Sequence, residues 1–169
     1  MHSDRAENYV RLNVKVRKHL DDVLTYLSTM FEIVVFTAGE REYADTILDF
    51  MDGDRIIIKH RLYRQHCVSP SKGIFVKDLR VISDRDLKDI ILVDNSIVSF
   101  AYQLSNGIPI ASFTGDTNDE ELLYLVTYLE ELFTQPDVRE YIDKTFKLTA
   151  MMLEQRQKRL EQKKERDAL

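Results

Sequence analysis

The apolar run Ile90–Val93, followed at once by Asp94–Ser96, constrains the fold of this chain more than any other stretch. Four apolar residues, three of them β-branched, are too few for a helix but suit a strand buried on both faces of a parallel sheet. Ligands of open α/β sheets bind just beyond the carboxyl ends of such strands. The oxygens of Asp94 and Asn95 are therefore well placed to ligate a hard cation such as Mg²⁺. In the alternative interpretation, Asp94 only caps a following helix.

A second run of the same design, Ile33–Phe36, ends at Thr37. Apolar residues at helical spacing predict helices over His19–Phe31, Glu40–Met51 and Glu120–Phe133. Strands that alternate with helices indicate an α/β fold with a mostly parallel sheet. The helical residues expected to face the core include Tyr43, Ala44, Leu48, Leu122, Leu123, Leu129, Leu132 and Phe133.

Shorter elements are predicted between and beyond these. A small β-hairpin is expected where the turn residues Ser69–Gly73 separate Val68 from Ile74–Val76. The remaining predictions are a loose edge strand over Tyr9–Val16, a short helix over Ile97–Leu104, a strand over Ile108–Ala111 and a helical region from Pro136 to the end.

Composition excludes several classes of function. No apolar run approaches the roughly 18 residues that span a bilayer, so no membrane segment is expected. Net charge is −5, and because the segment Glu154–Leu169 contributes +2, the rest of the chain carries −7. An acidic body argues against nucleic acid as the main ligand, since that binding depends on neutralising phosphates. Cys67, the one cysteine, has no partner for an internal disulfide, which fits an intracellular location, nuclear or cytoplasmic.

Thr37, Lys77 and the pair Asp94–Asn95 each follow an apolar segment, and together they are the parts of a phosphoryl-transfer site. A hydroxyl can bond phosphate oxygens, an ammonium can neutralise the charge that develops on them, and a carboxylate with an amide can hold Mg²⁺. Taken singly, Thr37 could simply end a strand and Lys77 could be a surface lysine. The order of residues is wrong for a receiver domain, whose acceptor aspartate precedes the threonine and lysine.

Several strings resemble the small phosphatases that act on the RNA polymerase II C-terminal domain, a branch of the haloacid dehalogenase superfamily that includes a nuclear-envelope phosphatase and a mitochondrial import receptor. The resemblance covers about Tyr9 to Tyr141. The matching strings are Phe31–Ala38 with Tyr43–Asp45, Arg61–Cys67, Phe75–Leu79 and Ile91–Ser96.

The resemblance implies a Mg²⁺-dependent phosphatase of phosphoserine and phosphothreonine peptides, on a Rossmann-like sheet flanked by helices. It implies that Thr37 binds the phosphoryl oxygens and that Lys77 stabilises the phosphoaspartate and the transition state. Asn95 would ligate Mg²⁺ with Asp94 supporting the metal shell. Tyr43 and Arg64 match positions on the substrate side, and the predicted hairpin matches a small inserted sheet that shapes the peptide groove.

One departure from the family pattern bears on both fold and chemistry. The family's nucleophile lies in an Asp-Leu-Asp-Glu-Thr-Leu motif at the end of a first, central strand, and this chain contains no such string. Family members commonly continue from that motif into a His-Ser pair, and this chain starts Met1-His2-Ser3. We therefore expect the sequence to begin just after the motif, without the central strand, and to be inactive by itself. Asp4 offers no substitute, because no apolar strand precedes it.

Three hypotheses follow for the function. The first is a phosphatase domain whose nucleophile segment is missing from this sequence. The second is a non-catalytic module that grips phosphopeptides or a partner protein, as the import-receptor branch does. The third is a structural fragment without activity. For the domain organisation we expect a phosphatase domain over residues 1–150 and a charged helical tail over residues 151–169.

Overall fold

The structure, a computed structural model, describes residues 13–167. The strands of this part are β1 (Ile33–Phe36), β2 (Ile58–Leu62), β3 (Val68–Ser71), β4 (Ile74–Val76), β5 (Leu92–Asp94) and β6 (Gly107–Pro109). Its helices are α1 (Leu20–Leu27), α2 (Arg41–Asp52), α3 (Glu121–Phe133), α4 (Val138–Phe146) and α5 (Leu148–Asp167).

The strands form three pairs. β1 is parallel to β2, β5 is parallel to β6, and β3 is antiparallel to β4. The α/β class, the parallel pairing and the inserted hairpin are thus as the sequence predicts. The hairpin turn is tighter than expected, because β3 continues to Ser71 and leaves only Lys72 and Gly73 between the strands, with Gly73 at φ +81°.

The two parallel pairs are not joined to each other. Among the described residues, no ladder of hydrogen bonds links β1 to β5, and each strand has a single neighbour. The first three residues of β1 are only half-buried although all are apolar, as expected of a strand with an open edge. This arrangement fits a parallel sheet without a central strand between β1 and β5, as the sequence leads us to expect.

Hydrophobic packing holds both pairs against helices. α2 buries Ala44 and Leu48 against Ile58 and Tyr63. A larger cluster joins α1, α3 and α4 to β6, and Ile33 and Val93 from the two separate strand pairs pack against it. The fully buried members of that cluster are Val23, Leu27, Ile108, Leu122, Leu129, Leu132, Val138 and Ile142.

Three residues predicted to face the core are exposed. Tyr43 is 54% exposed, Leu123 42% and Phe133 54%. Tyr43 lies about 100° round the helix from Ala44, and that rotation is enough to place it at the rim of the buried face. α3 is apolar on nearly every side, so its apolar pattern does not specify which residues meet the core.

Other predicted elements shift or shorten. The predicted edge strand lies partly outside the described residues, and residues 13–16 are irregular. In place of one helix over Ile97–Leu104 there are two 3₁₀ turns, at Ile97–Phe100 and Leu104–Asn106. The carbonyl of Ser99 accepts the Lys77 N–H at 2.7 Å. This carbonyl therefore bonds a neighbouring segment instead of the N–H of a following helical turn.

The helical region predicted from Pro136 is divided in two. Lys147, at φ 54°, separates α4 from α5. Leu148 is buried, whereas the side chains described from Met151 onward are exposed. The boundary predicted between residues 150 and 151 falls within α5 and stays a prediction. No helix over residues 13–167 combines the length and apolar character needed to cross a bilayer.

Candidate active site

Lys77 and Asp94 meet as an ion pair. Lys77 directly follows β4 and Asp94 is the last residue of β5. The Nζ of Lys77 donates to Oδ2 of Asp94, and the two side chains are 12% and 8% exposed. The other carboxylate oxygen accepts the backbone N–H of Ser96 at 2.8 Å. A partly buried lysine and a partly buried aspartate are thereby held together at a strand tip.

Thr37 lies at the tip of β1. Its backbone N–H donates to the Leu62 carbonyl at 2.9 Å and extends the pairing with β2. Its Oγ1 accepts the Gly39 N–H at 2.9 Å. Because the oxygen accepts this bond, the hydroxyl proton can be donated to an anion.

Cys67 connects the two strand tips. Its Sγ lies 3.9 Å from the Thr37 carbonyl oxygen. Burial raises the pKa of the Cys67 thiol, and the charges of Lys77 and Arg64 oppose that rise while Asp94 adds to it. Because Val68 pairs with Val76 in the antiparallel hairpin, Cys67 lies across from Lys77. The segment around Thr37 and the Lys77–Asp94 pair therefore share one region of the molecule.

Arg64 and Tyr43 border the loop that follows Thr37. The Nε of Arg64 donates to the Ala38 carbonyl at 2.6 Å, and its Nη1 pairs with Glu40 at 2.5 Å. The same guanidinium stacks over the Phe75 ring, 5.1 Å from its centroid. A Cβ added to Gly39 would lie 3.8 Å from the Tyr43 ring. Two side chains predicted to contact substrate thus line the same loop, one cationic and one aromatic.

Asn95 lies next to the ion pair and faces the segment after β6. Its Nδ2 donates to the Ser112 Oγ at 2.9 Å. Asp94 and Asn95 offer the hard oxygen donors that Mg²⁺ prefers, so their chemistry fits the ion. In the part of the chain that is described, no group of three His, Cys, Asp or Glu residues could hold a metal. Asp94 and Asn95 could therefore supply oxygen ligands to a magnesium ion but do not form a complete site by themselves.

Two aspartates in the matching strings lie in structural ion pairs instead. Asp45 accepts the Tyr63 hydroxyl at 2.5 Å and the Arg61 guanidinium at 3.0 Å, and the hydrogen bond from Tyr63 lowers its pKa. Asp78 accepts the Arg80 guanidinium at 2.5 Å and the Gln103 amide at 2.9 Å. Both carboxylates therefore have structural hydrogen-bond partners other than the Lys77 ammonium.

We expect Asp78 to make folding stability depend on pH. The hydrogen bond from Arg80 lowers the Asp78 pKa to about 2, below the roughly 3.9 of an unfolded chain. The stabilisation is therefore complete above about pH 4 and is lost as the pH falls towards 2. Water screens Arg80, which is 68% exposed, so the effect should be about 1 kcal/mol.

Urea unfolding of the wild type and of Asp78→Asn at pH 6 and pH 2.5 measures this dependence. The difference in the free energy of unfolding between the wild type and Asp78→Asn should be smaller at pH 2.5 than at pH 6. The variant Asp84→Asn, at an exposed carboxylate, is the control. An equal difference at both pH values would contradict the assignment.

Sequence reasoning missed two residues at this site. The sequence identifies Cys67 only as a cysteine without a disulfide partner, and no local pattern marks its approach to Thr37. Ser112 did leave a signal, since it is the first polar residue after the predicted strand Ile108–Ala111 and so mirrors the position of Thr37.

Parallel strand pairs covered by helices, an inserted hairpin and polar residues at two neighbouring strand tips define a haloacid-dehalogenase-like α/β domain. The chain belongs to the NLI interacting factor-like phosphatase family, which matches residues 1–139.

Similar proteins include CTD small phosphatase-like protein 3 of Caenorhabditis elegans, 43% identical over 80% of this chain and 47% of that protein. CTD nuclear envelope phosphatase 1B of Danio rerio is 38% identical over 80% of this chain and 54% of the relative. The chain spans only 23% of CTD small phosphatase-like protein 2 of Dictyostelium discoideum, with 45% identity. It thus covers about half or less of each of these relatives.

Among solved structures, the chain is similar to Fcp1, described as an essential RNA polymerase II CTD phosphatase, with a TM-score of 0.63 and 15% identity. The match covers 77% of this chain and 54% of Fcp1. At that identity the similarity shows the fold, and the sequence matches show that the domain is of the CTD phosphatase type.

Proposed function

We propose that this chain carries the phosphate-binding and magnesium-binding side of a protein phosphoserine/phosphothreonine phosphatase. The observation that supports it is the buried Lys77–Asp94 ion pair, beside the segment that holds Thr37. A lysine and a carboxylate that are both largely withdrawn from water at a strand tip are typical of a functional site.

Each side chain has a role in this proposal. The Thr37 hydroxyl donates its proton to a phosphoryl oxygen, and the Lys77 ammonium neutralises the charge that spreads over the phosphoryl oxygens in the transition state. Arg64 and Tyr43 orient the peptide on either side of the loop. Asp94 and Asn95 would hold Mg²⁺ through oxygen, and the bound ion would supply further charge neutralisation to the phosphoryl group.

The nucleophile is absent from this set. The one strand-tip carboxylate among the described residues is Asp94, and Lys77 already engages it. Among the described residues β1 and β5 belong to separate strand pairs, and a further parallel strand between them would place its carboxyl end beside Lys77. We propose that the 169 residues alone do not turn over phosphate esters and that an aspartate-bearing strand between β1 and β5 completes the reaction centre.

Turnover of p-nitrophenyl phosphate with Mg²⁺ tests this proposal. We expect none from the 169-residue chain. Fusing an amino-terminal strand with the Asp-Leu-Asp-Glu-Thr-Leu motif should produce turnover, and the same strand with asparagine at both aspartate positions should not. Measurable Mg²⁺-dependent turnover by the unfused chain would show that the nucleophile has been assigned wrongly.

A non-catalytic phosphopeptide-binding or partner-binding module is the alternative. Its motivation is the same lack of a second carboxylate directly at the end of a parallel strand within residues 13–167. Binding of a phosphoserine peptide by the unfused chain, together with no turnover by the fused one, would favour that function. An intracellular location, nuclear or cytoplasmic, belongs to the proposal as well, and some relatives are named for the nuclear envelope.

A further inference from the structure

The segment after β6 runs beside the tip of β5. The Ile110 N–H donates to the Asp94 carbonyl at 3.1 Å, so backbone pairing continues past the end of β6. Two residues on, the Ser112 Oγ accepts the Asn95 Nδ2 at 2.9 Å. Within residues 13–167, the Asn95 Oδ1 accepts no hydrogen bond, so this amide has its nitrogen engaged and its oxygen available.

A buried arginine holds this segment in place. The Nη2 of Arg17 donates to the Ala111 carbonyl at 2.7 Å, and its guanidinium stacks over the Phe113 ring at 5.3 Å. Its Nε lies 3.0 Å from an Asp119 carboxylate oxygen, and the two side chains are 10% and 11% exposed. Because Ala111 and Phe113 flank Ser112, these contacts restrict the serine from both sides.

We infer that Ser112 is a positioning residue for Asn95. An asparagine amide can present either oxygen or nitrogen to a neighbour, and only the oxygen can ligate a cation. By accepting the Nδ2 proton, the Ser112 hydroxyl engages the nitrogen of the amide and leaves the Asn95 oxygen as the atom available to a cation. This role rests on the proposed function, in which Asn95 ligates Mg²⁺. Partners that orient metal ligands in this way commonly govern metal affinity.

The first test needs no metal. In ¹⁵N NMR spectra of the 169-residue chain, Ser112→Ala should shift the two side-chain amide proton signals of Asn95. Ser112→Thr retains the hydroxyl and should leave them near their wild-type positions. Ser71→Ala, at an exposed hairpin serine, should also leave them unchanged. Asn95 signals that do not respond to Ser112→Ala would overturn the inference.

The second test adds Mn²⁺ as a paramagnetic substitute for Mg²⁺. In the wild type it should broaden the signals of residues 94–96 selectively. In Ser112→Ala the Mn²⁺ concentration that produces half of this broadening should rise about tenfold. In Ser71→Ala that concentration should not change. Equal concentrations in the wild type and Ser112→Ala would overturn the inference alone. If the wild type shows no selective broadening there, the proposed magnesium site fails and the inference fails with it.

Discussion

Replacing Lys77 with alanine should lower the free energy of unfolding by about 3 kcal/mol, because it leaves a buried carboxylate without its counter-ion. The Asp94 side chain is only 8% exposed, and Lys77 is its one described cationic partner. Within the described residues, the Ser96 N–H is the other donor to that carboxylate. Urea unfolding of the 169-residue chain, monitored by circular dichroism at pH 7, measures the change.

A second substitution separates charge burial from lost packing. The double variant Lys77→Ala/Asp94→Asn removes the uncompensated charge and should recover part of the lost stability, so the two changes should be non-additive by at least about 1 kcal/mol. Lys72→Ala, at an exposed lysine in the hairpin turn, should change stability by less than about 0.5 kcal/mol. Additive effects of Lys77→Ala and Asp94→Asn would show that the two residues do not interact in solution.

The same lysine should decide activity once the nucleophile is supplied. In the protein fused to the aspartate-bearing strand, Lys77→Ala should reduce kcat for p-nitrophenyl phosphate about 100- to 1,000-fold, the usual effect of removing a preorganised charge from a transition state. Lys72→Ala should retain full activity. Comparable activity in both variants would remove Lys77 from the reaction.

Replacing Gly107 with alanine should also be severe, with a loss of about 3 kcal/mol. Gly107 begins β6, and a Cβ at this position would lie 2.1 Å from the ring of Phe100. Phe100 is fully buried, in the cluster that includes Leu79 and Leu92, so the ring has no space into which to move. The new methyl group must therefore displace either the aromatic ring or β6.

A second glycine provides the matched control. Gly73→Ala has no atom within 4 Å of the new Cβ, and its φ of +81° confines the cost to backbone strain of about 1 kcal/mol. Thermal unfolding of both variants against the wild type compares them directly. If Gly107→Ala is no more destabilising than Gly73→Ala, then Phe100 does not pack against this glycine in solution.

Much of the local structure follows from short-range pattern. The runs that contain β1 and β5 are apolar and flanked by polar residues, and the apolar spacing of α2 and α3 repeats every three to four residues. The polar residues at the strand tips are equally readable, since Thr37 and Asp94 end their runs. The polar residue at the end of a strand can thus be predicted from the sequence, because it directly follows the apolar run that forms the strand.

Contacts between distant segments are not visible in this way. Cys67 reaches the Thr37 carbonyl across 30 residues, and Asn95 bonds Ser112 across 17. The spacing of apolar residues indicates that a side chain faces the core, but it does not indicate which residue that side chain contacts there. This is also why Tyr43 and Phe133 were assigned to the core although both are exposed.

The sequence by itself determined the α/β class, the runs that form β1 and β5, the helical pattern of α2 and α3, and residue types that could bind phosphate and magnesium. Only the tertiary structure decided that Lys77 pairs with Asp94, that Arg17 holds the segment bearing Ser112, and that β1 and β5 share no neighbour among the described residues. The physical reason is that side-chain periodicity is a property of a few adjacent residues. Ion pairs and strand neighbours depend on how separate segments pack.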